Sequence, residues 1–472
     1  MHRRRLATIA LAATAVVGGA AARHRAIVPP EPVPIELDAR RSFAVTDTAI
    51  LTAFPFERVV DQIAARSGVK GASGSQLVRQ MFDTQTAKPG FFDAAGPHCD
   101  DFLTDGAPSF NAFPRRCPTP EWALATAAFA AGEYFPSAIL NRFDLAAADG
   151  SHCGQYRLVY VRKGQTSVDV VHLIFEAVLP NPHPEQGLSA CRPVAQFWAD
   201  LSNVDSMEER RARLERFFFD GLGELAPVID PRHYAFGSGG GIRTRQQARV
   251  PSEPRMYQFH TRTDCTESGD CTLRLVPHVL PNLPWAPLFD AAIDTEQGRA
   301  FRADFIRQVP NLAINDVNLY FMDIPPAYLI VESHASDEVR AFVYDNPFNK
   351  SQSTEGGRAF HAAIQTELTR IGSSLTPENI IKRAETQNCA GCHALFGDIG
   401  GGVTFPQPRL SRHVLDQTLE SGEGGPQSRF AVSQAMKDVF IPHRMRILRE
   451  FLKTGKAPVH SNGTIGGGRA VQ

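Results

Sequence analysis

Tyr156-Arg157-Leu158-Val159-Tyr160-Val161, followed by Val168-Asp169-Val170-Val171-His172-Leu173-Ile174-Phe175-Glu176-Ala177-Val178-Leu179, is the stretch that decides the fold. The first run alternates, and both are rich in the β-branched and aromatic side chains that suit a pleated, half-buried surface. Lys163-Gly164-Gln165-Thr166 between them predicts a turn, so the pair reads as a β-hairpin. Working outward, further strands are predicted at 256–260, 272–276, 328–331 and 341–344. Apolar residues at helical spacing predict helices at 47–51, 56–63, 194–201, 207–222 and 296–309. Strands and helices mix without strict alternation, which predicts an α+β fold rather than a doubly wound α/β one. No repeat of fixed period is present.

The chain has 472 residues with 49 Lys and Arg against 50 Asp and Glu, and its formal net charge is −1. No long basic run exists, so nucleic-acid binding has no electrostatic footprint here. Residues 1–22 (MHRRRLATIALAATAVVGGAAA) carry Arg3, Arg4 and Arg5, a short apolar run and the small residues Ala20-Ala21-Ala22. That order predicts a cleaved signal peptide and a mature chain starting near Arg23. The apolar run is too short to span a bilayer well, and no span is expected after its removal. The expected location is therefore periplasmic or secreted. Residues 23–41 form a Pro-rich leader. About 450 residues then remain, enough for two or three domains or one large one with a small appendage.

Cysteine usage agrees with export. Two of the eight cysteines belong to the motif described next, and Cys99, Cys117, Cys153, Cys191, Cys265 and Cys271 remain. An even number in an exported chain reads as a disulfide framework. Sequential pairing is its simplest form: Cys99 with Cys117, Cys153 with Cys191, and Cys265 with Cys271. Other connectivities are formally open.

The motif is Cys389-Ala390-Gly391-Cys392-His393. Two thiols three residues apart lie on one face of a helical turn and can form thioethers to the two vinyl groups of one porphyrin. His393 can then place an imidazole nitrogen on the iron, and Ala390 and Gly391 keep bulk off the ring. A structural zinc site needs about four protein ligands, and no second cysteine pair of similar spacing exists. A thioredoxin-type pair opens a helix after a strand, whereas this one follows a helix predicted from Thr376 and Pro377. Haem c, held covalently with its iron, is the expected cofactor.

Other stretches carry less. Gly237-Ser238-Gly239-Gly240-Gly241 precedes Arg243, Arg245 and Arg249, but lacks the spacing of a phosphate-binding loop and reads as a surface loop. Asp144 to Gly150 lacks the alternating acids of a calcium loop and reads as a turn. His98, His152, His172, His233, His260, His278 and His334 are scattered and form no metal-binding pair in sequence.

From about 375 to 455 the chain resembles the cytochrome c family. The features are Cys389-Ala390-Gly391-Cys392-His393, the Gly- and Pro-rich stretch 397–410, and the apolar, basic C-terminal stretch 430–454 that Pro442 divides. The resemblance implies a helix carrying the motif, a loop on the histidine side and a crossing C-terminal helix. It implies that the Pro408 carbonyl (Pro406 being the other choice) accepts the proximal imidazole N–H, and that Leu410 packs on the ring. For the distal iron ligand, Met436 and His413 stand first, then His443 and Met445. Residues 42–374 form the α+β domain, 375–455 the haem segment and 456–472 a flexible tail. The implied function is electron transfer to or from a redox partner protein or small molecule. The alternative is a haem-dependent oxidoreductase acting on peroxide or oxygen, with an open iron site or a substrate site on the large domain.

Overall fold

Charged residues in the middle of buried strands set the character of the central sheet. The computed structural model describes residues 35–83, 103–104, 107–110, 113–114, 134–163, 170–247, 254–330, 332–334, 344–387, 397–405, 414–419, 428–456, 460 and 464. Its main sheet holds β1 (Ala44–Val45), β2 (Tyr134–Arg142), β3 (His152–Lys163), β4 (Val170–Pro180), β5 (Gly241–Gln247), β6 (Pro254–Cys265), β7 (Cys271–His278) and β8 (Glu332–His334). The first seven lie side by side in chain order, each antiparallel to the next. β8 joins the same edge of β6 that β7 occupies further along. The predicted hairpin is β3–β4, with Arg157 opposite Glu176 and Tyr156 opposite Ala177.

One face of the sheet is aromatic. Tyr156, Tyr160 and Phe175 point to it, and three amphipathic helices cover it: α1 (Phe56–Arg66), α3 (Arg192–Leu201) and α4 (Met207–Phe219), with α2 (Gly74–Asp83) packed on α1. In α1 the buried residues Phe56, Val59, Val60 and Ile63 recur at helical spacing. Phe56 meets Tyr160 at 5.3 Å between centroids. Trp198 of α3 stacks on Tyr156 at 5.7 Å, and Phe217 of α4 meets Tyr156 edge-on at 5.3 Å. The Tyr156 hydroxyl donates to the Cys153 carbonyl and the Tyr160 hydroxyl to the Phe54 carbonyl, so both rings are buried with their polar ends satisfied. The fold is α+β.

A second core is helical. It is built from α5 (Glu296–Ile306), α6 (Glu355–Arg370) and α7 (Pro377–Glu385), and within it Phe289 meets Phe301 at 4.9 Å, Phe305 at 5.0 Å and Tyr344 at 4.4 Å. Thr295, Thr354 and Thr376 each accept a backbone N–H as N-caps, and Thr376 with Asn379 closes a capping box. The last helix, α8 (Ile441–Thr454), buries Ile447, Leu448, Phe451 and Leu452 and lies against α3 and the turn Phe143–Leu145. Glu36–Gln472 clusters as one compact unit, and residues on both sides of position 375 share its packing.

Two predicted strands fall partly outside the described residues. Of 328–331, Tyr328 ends a 3-10 turn, Pro326–Tyr328, Leu329 makes an isolated antiparallel bridge to Pro284, and Val331 lies outside the described residues. Pro325-Pro326 supplies no N–H for a ladder, which favours the turn. Of 341–344 only Tyr344 is described, and it precedes the helical turn Asp345–Ser351. Among the described residues no helix is long and apolar enough to cross a membrane.

Candidate functional site

The face of the sheet opposite the aromatics carries a buried polar ladder. Arg142, Gln155, Arg157, Glu176, Arg243, Gln258 and His260 share this face by register, one or two from each of β2 to β6, and all are buried. Arg157 donates to Gln155 at 2.7 Å and lies 3.2 Å from Glu176. Arg243 meets the other Glu176 oxygen at 3.0 Å and donates to Gln258 at 3.0 Å. Gln258 approaches the His260 ring nitrogen at 3.2 Å, and the other ring nitrogen faces the Tyr234 carbonyl at 3.2 Å. His260 in turn meets His278 at 4.5 Å between ring centroids. Burial, with His278 nearby, holds His260 down to about 4, so it is neutral at pH 7.

At the β2 end the ladder meets α8. Arg142 grips Asp144 through Nε at 3.0 and 3.1 Å and through Nη2 at 2.9 Å. Arg444 of α8 comes within 3.9 Å of the same carboxylate. Burial alone would raise the Asp144 carboxyl, but Arg142 and Arg444 outweigh it and hold it below its ordinary value. Burial lowers Arg157 to about 9; Glu176 opposes this, while Arg142 and Arg243 add to it. Arginine keeps its proton in proteins, so this depression records how unfavourable the surroundings are to one more positive charge.

The described residues on either side of the cysteine motif are tightly held. α7 ends at Glu385, and Thr386 and Gln387 after it are buried. Arg383 is fully buried under Tyr320 and donates to the carbonyls of Leu312, Ile314, Ile399 and Gly400 at 2.6–3.1 Å. One guanidinium thus ties the chain before the motif to the chain after it. Gly400 has φ +90°, and a Cβ there would sit 2.3 Å from Asn379, so only glycine allows that turn. Beside this knot the Asp345 backbone N–H donates to Glu385 at 2.6 Å, while Oε2 of Glu385 and Oδ1 of Asp345 are buried without hydrogen-bond partners. Burial first, and the Asp345 carboxylate second, push Glu385 up to about 8.

Of the residues singled out in sequence, Cys389, Cys392, His393, Pro408, Leu410, His413, Cys99 and Cys117 lie outside the described residues. Met436 is buried and opens a π-helical turn, Met436–Phe440, that runs directly into α8. Such turns concentrate at functional sites. Pro442 occupies the first turn of α8, directly after the π-helical turn. His443 is buried on α8 and faces Arg446 at 3.0 Å, and Met445 is half-buried. Cys153–Cys191 and Cys265–Cys271 are disulfide-bonded as expected.

The glycine-rich loop is at the surface over Phe236–Gly239, but Arg243 is a strand residue gripping Glu176 rather than a loop cation. Asp144 is likewise a buried ion-pair partner and not merely part of a turn. Sequence reasoning missed the ladder. Its signal was Arg157 and Glu176 interrupting otherwise apolar strands. Elsewhere, a cleft between α5 and α6 is lined by Ala303, Phe360 and Ala363 with Arg299 at its side. The chain matches no protein-family model, no curated protein and no solved structure.

Proposed function

We propose that this chain is an exported monohaem protein of the c-type cytochrome kind, carrying electrons to or from a redox partner protein or small molecule. The observation that carries the reading is Cys389-Ala390-Gly391-Cys392-His393. Its donor set fits the group: two thiols for two thioethers, and an imidazole for the iron. When bound, that group supplies reversible one-electron chemistry.

The chain's own residues have separate tasks in this reading. Cys389 and Cys392 would anchor the group, and His393 would hold its iron. Pro408 orients the imidazole and Leu410 packs on the ring, as the cytochrome c resemblance implies. Met436 or His413 would be the second protein ligand to that iron. Support comes from the Arg383 knot, which fixes the chain on both sides of the motif on rigid elements, as a precisely held site requires. Further support comes from the buried Met436 at a π-helical turn. Two disulfides suit an oxidising compartment, and with the N-terminal 22 residues they support a periplasmic or secreted location.

The visible spectrum of the purified full-length protein, oxidised and reduced, with and without carbon monoxide, tests this function. A six-coordinate low-spin spectrum indifferent to carbon monoxide is expected. Met436→Ala or His413→Ala, whichever residue is the ligand, should turn it high-spin. Ready carbon monoxide binding by the unaltered protein would mark an open site and replace electron carriage with the haem-dependent oxidoreductase reading.

A further inference from the structure

Arg444 is buried on the first turns of α8, and its Nη1 has no hydrogen-bond partner. Its nearest carboxylate, Asp144, is 3.9 Å from Nε, beyond hydrogen-bond reach, and both Asp144 oxygens already accept from Arg142. Arg142 and Arg157 also press their positive charge on Arg444. A buried guanidinium N–H without an acceptor is among the most expensive arrangements a fold can hold, and native structures rarely leave one. Repulsion from two neighbouring cations raises that cost and at the same time creates a local potential that attracts an anion.

We propose that Arg444 Nη1, backed by Arg142 and Arg157, is a binding site for an oxyanion of carboxylate or phosphate type. The planar guanidinium fork matches such groups, and a charge-assisted hydrogen bond in a buried site is strong. Asp144 sets the orientation of Arg142 and leaves Arg444 to the ligand. The oxyanion has two sources, a free small anion or a carboxylate of the porphyrin. Only the second rests on the haem reading.

Full-length wild type and Arg444→Lys, purified from a host with a working cytochrome maturation system, test the site. Arg444→Gln is the second variant with the same readouts, should the lysine variant not fold. Melting temperature is followed against inorganic phosphate at constant ionic strength with chloride as reference. The pH dependence of the visible spectrum is followed on the same samples. A saturable rise in melting temperature, with the phosphate Kd weakened about tenfold or more by substitution, identifies a free anion. No rise in wild type, together with a displaced pH dependence of the spectrum in the variant, identifies the porphyrin carboxylate. Wild type and variant alike in both readouts overturn the proposal. A chain that carries no haem in that host sinks the haem reading alone, and the phosphate titration then decides this site by itself.

Discussion

The two faces of the central sheet are built from the same strands and obey different physics. On one face Tyr156, Tyr160 and Phe175 pack against Phe56, Trp198 and Phe217. On the other, alternate residues of those strands place Arg157, Glu176 and Arg243 side by side, equally buried. The aromatic face is stabilised by non-directional burial, where each ring contributes largely on its own. The ladder is conditional: each charge is tolerable only while its partners stay in place. A fold can carry such a face when another element, here the aromatic side, supplies the net stability.

The comparison breaks most visibly at Glu176. Glu176→Ala leaves Arg157 and Arg243 facing each other and should cost about 3–5 kcal/mol in urea denaturation. Trp198→Ala should cost a similar ~3–5 kcal/mol through the cavity it leaves. The two differ in how they can be repaired. Replacing the ladder trio together, Arg157→Met with Glu176→Leu and Arg243→Met, should recover much of the loss, since apolar residues of like volume often outdo buried ion groups, with the remainder set by Gln155 and Gln258 losing their arginine donors. A triple variant as unstable as Glu176→Ala would refute the conditional character assigned to this face.

A smaller effect separates the aromatic face from the helical core by pH. The fold keeps Glu385 protonated up to about 8, whereas in the unfolded chain it ionises at about 4.3. Between those values the folded state binds the extra proton, so stability falls as pH rises through the window and the deficit is complete above pH 8. Glu385→Gln should therefore match wild type near the acid end and exceed it by about 2–4 kcal/mol at the alkaline end. Trp198→Ala should show a deficit that does not vary with pH. Thermal melts across this range check both, and a parallel pH profile for wild type and Glu385→Gln would show that the carboxyl is not held protonated. The smallest expected change is at the sheet edge, where Cys265–Cys271 closes a short hairpin with a sequence separation of 6. Cys265→Ser with Cys271→Ser should cost about 2 kcal/mol, checked by the same melts with and without reductant.

Strands and disulfides were legible because their signals are local. The β-branched and aromatic run at β3 and β4 and the two sequential cysteine pairs need no knowledge of distant partners. The ladder was not legible. A lone charged residue in an otherwise apolar strand, such as Arg157 or Glu176, does not reveal its partner, and only the register Arg157 to Glu176 and Arg243 to Gln258 turns these residues into a buried network. Arg383 was hidden for the same reason, since its four carbonyl partners lie about seventy residues back and sixteen or seventeen ahead. Met436 was singled out as a candidate distal ligand, and its burial at a π-helical turn adds a tertiary feature that the sequence does not carry.

The intact mass of the denatured full-length protein, expressed in a host with a working cytochrome maturation system, tests the central claim most directly. The expected mass exceeds that of the signal-cleaved chain by one haem, with the increment lost in Cys389→Ala with Cys392→Ala. A wild-type mass equal to the unmodified chain would contradict covalent haem binding, and electron transfer would fall with it.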